Sequence, residues 1–133
     1  MAKLYKSKEY KKLIGQYGYR AHEFKNDVEF QFYIGDSYYQ LENCPKAIKS
    51  FNRVYMSFGL GKANLAHSVK IKNSIYKLAV CRARDGDAAG AVMVLDGMKT
   101  NMGFFKNELV KAKYDPDFGR IKRTKEWKIF LEK

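Results

Sequence analysis

Residues 34–51 read Ile34-Gly35-Asp36-Ser37-Tyr38-Tyr39-Gln40-Leu41-Glu42-Asn43-Cys44-Pro45-Lys46-Ala47-Ile48-Lys49-Ser50-Phe51, and the fold turns on them. Proline is excluded from a helix interior but costs nothing at a helix start, where its missing N–H has no partner to lose. The stretch therefore reads as two helices with a turn just before Pro45. On a helix at about 100° per residue, Ile34, Gly35 and Tyr38 share one buried stripe. Gly35 and Ala47 are small enough to let the two helices of a hairpin approach closely, and Phe51 supplies bulk to fill the space between hairpins. Working outward, the same order recurs from Lys72, 44 residues after Val28: Ile75, Leu78-Ala79, Gly86, Ala91 and Leu95. Asp85-Gly86-Asp87 makes the second turn, with Asp87 as the N-cap of a helix over 88–99. Between the copies, Gly59-Leu60-Gly61 breaks one helix and the next starts early.

These residues resemble the tetratricopeptide repeat. Gly35, Tyr38, Ala47 and Phe51 fall at its positions 8, 11, 20 and 24; Ile75, Leu78, Ala79, Gly86, Ala91 and Leu95 fall at positions 4, 7, 8, 15, 20 and 24. The match departs from the pattern at Arg82, which replaces the aromatic of position 11, and in the absence of a closing proline from both copies. Tyr10, Leu13, Ile14 and Tyr17 resemble the second helix of an earlier unit whose first helix is reduced to Met1–Lys6. Leu109, Ala112, Asp115-Pro116-Asp117-Phe118, Ile121, Trp127, Phe130 and Leu131 resemble a closing unit, with Lys122, Arg123, Lys125, Glu126, Lys128, Glu132 and Lys133 as its polar outer face. The resemblance implies an all-α fold, a right-handed α-α superhelix of three to four helical hairpins in one domain. It divides into a partial repeat (1–27), a full repeat (28–58), an insertion with an early helix (59–71), a second full repeat (72–102) and a capping repeat (103–133).

The family uses the first helices of its hairpins to line a concave groove for extended peptides or helices. On this chain the groove positions are Glu29, Phe32, Tyr33, Asp36, Tyr39 and Gln40, then Asn73, Tyr76, Lys77, Val80, Ala83 and Arg84. Aromatic anchors with a few directed charges suit peptide recognition, because rings bury area at low entropic cost while charges set register. The implied function is a non-enzymatic scaffold or adaptor for a protein or peptide partner. Packing of Phe32, Tyr33 or Tyr39 against a neighbouring helix is the competing reading. The clamp that some family members use on acidic C-termini fails, because Phe32, Asp36, Tyr76 and Val80 stand where basic or amide groups are needed.

The chain of 133 residues carries a formal charge of +12, which invites a nucleic-acid reading, but the charge is distributed in blocks. Residues 26–45 hold four acids and no base, and residues 46–84 hold nine bases and no acid. Alternating blocks of helix length point to faces of opposite sign rather than a basic tail. Lys46, Lys49 and Arg53, three and four apart, form an outward basic stripe, and Lys62, His67 and Lys70 extend it. That stripe supports an alternative function: an electrostatic adaptor for anionic lipid, acidic protein or nucleic acid. Nucleic acid is the least supported of these, because no module signature, Arg-Gly run or regular one-base-per-repeat residue pair is present. A membrane surface stays open, as does self-association or packing on the rest of a longer chain.

The 46% hydrophobic and 15% aromatic content is enough for a packed core. No apolar run reaches the roughly 18 residues of a membrane span, and Met1-Ala2-Lys3-Leu4-Tyr5-Lys6 does not resemble a signal peptide, so the piece reads as soluble, in a compartment left unknown. Catalytic and cofactor signatures are lacking. His22 and His67 have no Cys or Ser partner at a telling distance. Gly59-Leu60-Gly61-Lys62 is not a phosphate loop, since Met56 and Ala63 stand at its defining positions. Asp85-Gly86-Asp87 lacks the remaining oxygens of a calcium loop. Cys44 and Cys81 stand at no metal-binding spacing and suggest no disulfide framework; both read as structural.

Overall fold

The computed structural model describes residues 1–132; Lys133, counted above with the polar outer face, lies outside them. Every regular element among the described residues is helical. The α-helices are α1 (Ala2–Lys6), α2 (Tyr10–Tyr17), α3 (Val28–Gln40), α4 (Cys44–Gly59), α5 (Ser68–Arg84), α6 (Ala88–Lys99), α7 (Lys106–Tyr114) and α8 (Lys125–Glu132). Short 3-10 helices span Gly18–Phe24, Leu65–His67 and Pro116–Ile121. The chain divides into two compact units, with the boundary between Ile75 and Tyr76 inside α5.

Local chemistry sets the helix starts. Asp27 Oδ1 accepts from the Phe30 N–H at 3.0 Å and opens α3. Asn43 Oδ1 accepts from the Lys46 N–H at 3.2 Å and opens α4, with Pro45 in its first turn. Asp87 Oδ1 accepts from the Gly90 N–H at 2.9 Å and opens α6. Each cap satisfies one of the N–H groups that a helix start leaves without an intrahelical partner. Gly86 makes the turn before α6 at φ +78°, a left-handed conformation that glycine adopts without steric cost.

In the first unit, α3 is the central helix, packed on α4, α2, α1 and the Gly18–Phe24 turn. Gly35 lies beneath the ring of Phe51, so close that a Cβ there would stand 2.7 Å from two ring carbons. Phe51, expected between hairpins, therefore closes the α3–α4 hairpin itself. Leu13, Ala21, Phe32, Tyr33 and Ile34 form a core cluster, with Met1, Leu4, Tyr5, Tyr17, Phe30 and Tyr38 packed at its edge. Neither Cys44 nor Cys81 is a free thiol, which corrects the expectation drawn from their spacing. In the second unit, α6 packs on α7 and α8. Phe118 stacks on Trp127 at 5.4 Å between ring centres, and Trp127 meets Phe130 at 5.3 Å.

Candidate functional site

The expected groove positions on α3 are for the most part already occupied by the chain itself. Phe32, Tyr33 and Asp36 are buried. Tyr5 of α1 lies on them, its ring 5.5 Å from Phe32 and 4.9 Å from Tyr33, and its hydroxyl donates to Asp36 Oδ2. Burial, then the hydrogen bond to Asp36 and its charge, push the Tyr5 phenol above its ordinary value. Burial, with the charge of Glu29, raises Tyr33 as well. Glu29 itself faces His67 at 3.8 Å and Lys70 at 3.7 Å, and Lys70 also lies over the Tyr33 ring. His67 and Lys70 thus both face Glu29 of α3. Tyr39 is half-buried, with its ring edge-on to Phe51 at 6.3 Å.

Asn73 belongs to the first unit and is half-buried. Tyr76, Lys77 and Arg84 belong to the second. Tyr76 is consumed by the core of that unit: its hydroxyl donates to Asp115 Oδ2 at 2.6 Å, its ring is edge-on to Phe118 at 5.8 Å, and Lys111 lies 4.8 Å above it. Burial alone would raise the Asp115 carboxyl. The bonds from Tyr76 and the Asp117 N–H, with the charge of Lys111, outweigh that and hold it below its ordinary value. Arg84 donates to Asp117 Oδ1 from two nitrogens, at 2.9 and 3.3 Å. Lys77 is half-buried on the same helix.

Lys46, Lys49 and Arg53 do share a feature. With Ser50 they form one wall of a cleft of about 210 Å³ in the first unit; Gly18, Ala21 and His22 form the facing wall, and Ile34 and Tyr38 also line it. The spacing of the stripe is readable from sequence, but its partner wall is not, because Gly18–Phe24 has no helical periodicity.

A second surface escaped the sequence reading altogether. Lys99, Met102, Lys106, Leu109, Val110, Lys113, Phe130 and Leu131 surround an open depression of about 210 Å³ in the second unit. Met102, Val110 and Leu131 are exposed although apolar. On α7 the order Lys106, Leu109, Val110, Lys113 follows helical spacing and sets two apolar residues between two lysines on one face. Lys99 is held in place, its Nζ donating to the Phe130 carbonyl at 2.6 Å above the Phe130 ring. Reading 103–133 as a cap with a polar exterior hid this patch, although the spacing on α7 could have revealed it.

No family model, curated protein or solved structure matches this chain. No described helix is long and apolar enough to cross a membrane.

Proposed function

We propose that the chain is a non-enzymatic interaction module of the tetratricopeptide kind, a short right-handed stack of helical hairpins, and that it binds an amphipathic, acidic helix on its second unit. The observation that carries this reading is the lysine-rimmed apolar depression between α7 and α8. Met102, Val110 and Leu131 leave apolar area in water, which an incoming apolar face would cover. Lys106 and Lys113 flank that area and favour carboxylates beside the partner's apolar stripe. The helical hairpin at 28–59, with the small residue Gly35 at the close approach of its two helices, supports the repeat reading. The shifted groups Tyr5, Tyr33 and Asp115 each owe their shift to burial and packing partners, which lends an enzymatic role no support.

This places the partner elsewhere than the expected groove, whose residues Phe32, Tyr33, Asp36 and Tyr76 are core. A labelled amphipathic helix with a leucine face and glutamate flanks is the probe, read by fluorescence anisotropy. Changing Val110→Glu with Leu131→Glu, both at exposed positions, should weaken binding at least tenfold and leave the circular dichroism unchanged. Equal affinity in the double variant would remove the proposal.

A further inference from the structure

We propose that the cleft between the Gly18–Phe24 turn and the Lys46/Lys49/Arg53 face of α4 is a binding site for a phosphate monoester group. Three cationic side chains and the imidazole of His22 line it, and no lining residue is acidic. Glu23, the nearest acid in sequence on the facing wall, is engaged by Arg20 at 3.3 Å. A cleft walled by one sign of charge concentrates its field on an incoming anion.

The cleft is also organised before anything binds. Gln31 is wholly buried beneath it. Its Nε2 donates to the carbonyls of Ala21 at 2.7 Å and Phe24 at 2.8 Å. Those two bonds use both amide hydrogens and so fix which way the amide points. Its oxygen is left to accept, and it accepts from Arg53 Nη1 at 3.3 Å. One buried side chain therefore ties the facing wall to α3 and sets the guanidinium. Lys46 is also guided, with its ammonium 5.7 Å above the Tyr38 ring. An arginine set in this way loses less freedom when it grips an oxyanion than one free in solvent.

The chemistry selects the ligand. A phosphate monoester carries nearly two negative charges at neutral pH and three acceptor oxygens, matching an arginine fork and two ammonium groups. A phosphodiester carries one charge and compensates fewer of the cations. The volume of about 210 Å³ is below the roughly 300–1,000 Å³ of drug-sized pockets, so the site fits a phosphate head with a small part of its carrier. Phosphate esters in solution and monoester lipid headgroups share this chemistry. The site lies in the first unit, so it stands or falls independently of the α7–α8 surface.

The test uses the full chain and three probes: phenyl phosphate, diethyl phosphate, and phosphatidylcholine vesicles with or without phosphatidic acid. Phenyl phosphate should shift backbone amide resonances in 18–22 and 46–53, and diethyl phosphate should bind at least tenfold more weakly. Arg53→Lys keeps the charge but loses the fork, and should weaken phenyl phosphate about tenfold. Lys49→Gln, at an exposed position that leaves the Gln31 network intact, should weaken it severalfold. Flotation with phosphatidic acid vesicles, blocked by phenyl phosphate, assigns a lipid headgroup; binding of phenyl phosphate without flotation assigns a soluble ester. Absence of shifts in those segments, equal affinity for monoester and diester, or wild-type affinity in both Arg53→Lys and Lys49→Gln would overturn the proposal.

Discussion

A methyl group on Gly35 would stand 2.7 Å from Cδ1 and Cε1 of Phe51 and 3.2 Å from Cβ of Ser50. Phe51 is fully buried, so its ring has nowhere to move. Alanine in a helix interior gains up to about 1 kcal/mol over glycine, but overpacking a filled core costs about 1–3 kcal/mol. Gly35→Ala should therefore destabilise the protein by about 1–2 kcal/mol, read as a lower urea midpoint with an unchanged slope. A higher midpoint would mean that Phe51 is not locked over Gly35. Sequence spacing marks Gly35 as a point of close helix approach and Phe51 as a large buried residue, but it pairs Gly35 with Ala47 and puts Phe51 between hairpins, so the contact between the two was not readable. The Asp87 cap, by contrast, is local and was readable from Asp85-Gly86-Asp87 alone. The fate of Phe32, Tyr33 and Asp36 was not readable: spacing shows which side of α3 they share, but not that Tyr5, from a five-residue helix with little periodicity of its own, would cover them.

Elements are joined in the second unit by the Asp115 carboxylate, which links α5, through Tyr76, to the start of the Pro116–Ile121 turn, through the Asp117 N–H. The Asp-Pro-Asp-Phe sequence marks a turn, since Asp caps and Pro starts a helical segment. Its pairing with a tyrosine 39 residues earlier lies beyond sequence patterning. Because the folded carboxyl sits below its ordinary value, the ionised form is favoured in the folded state. The sign follows: Asp115 adds stability in full above the ordinary carboxylate value and loses it as pH falls through the lowered one. Wild type and Asp115→Asn should differ most in urea midpoint near neutral pH and converge below about pH 4. A difference independent of pH would assign the role of Asp115 to hydrogen bonding alone. In the same unit α7 and α8 leave Val110, Ile129 and Leu131 exposed alongside the polar residues Arg123, Lys125 and Lys128.

Across the whole molecule, a net charge of +12 on 133 residues sets a constraint that no single contact relieves. Residues 46–84 contain nine bases and no acid, and the all-helical fold keeps Lys46, Lys49 and Arg53 together on one face of α4 rather than spreading them. Folding concentrates like charge relative to the expanded chain, so self-repulsion opposes it. Salt screens that repulsion over a Debye length of about 10 Å at 0.1 M. Sodium chloride should therefore raise the thermal midpoint, where a protein held together mainly by surface ion pairs would lose stability. Phosphate adds a second effect, because a ligand bound only by the folded state stabilises it by mass action. At equal ionic strength the midpoint should be higher in phosphate than in chloride. That excess should shrink in Lys49→Gln, while the chloride response of the variant stays near that of wild type. If wild type and Lys49→Gln show the same excess, the anion acts on the surface at large, and the block of positive charge serves general repulsion instead of one cleft.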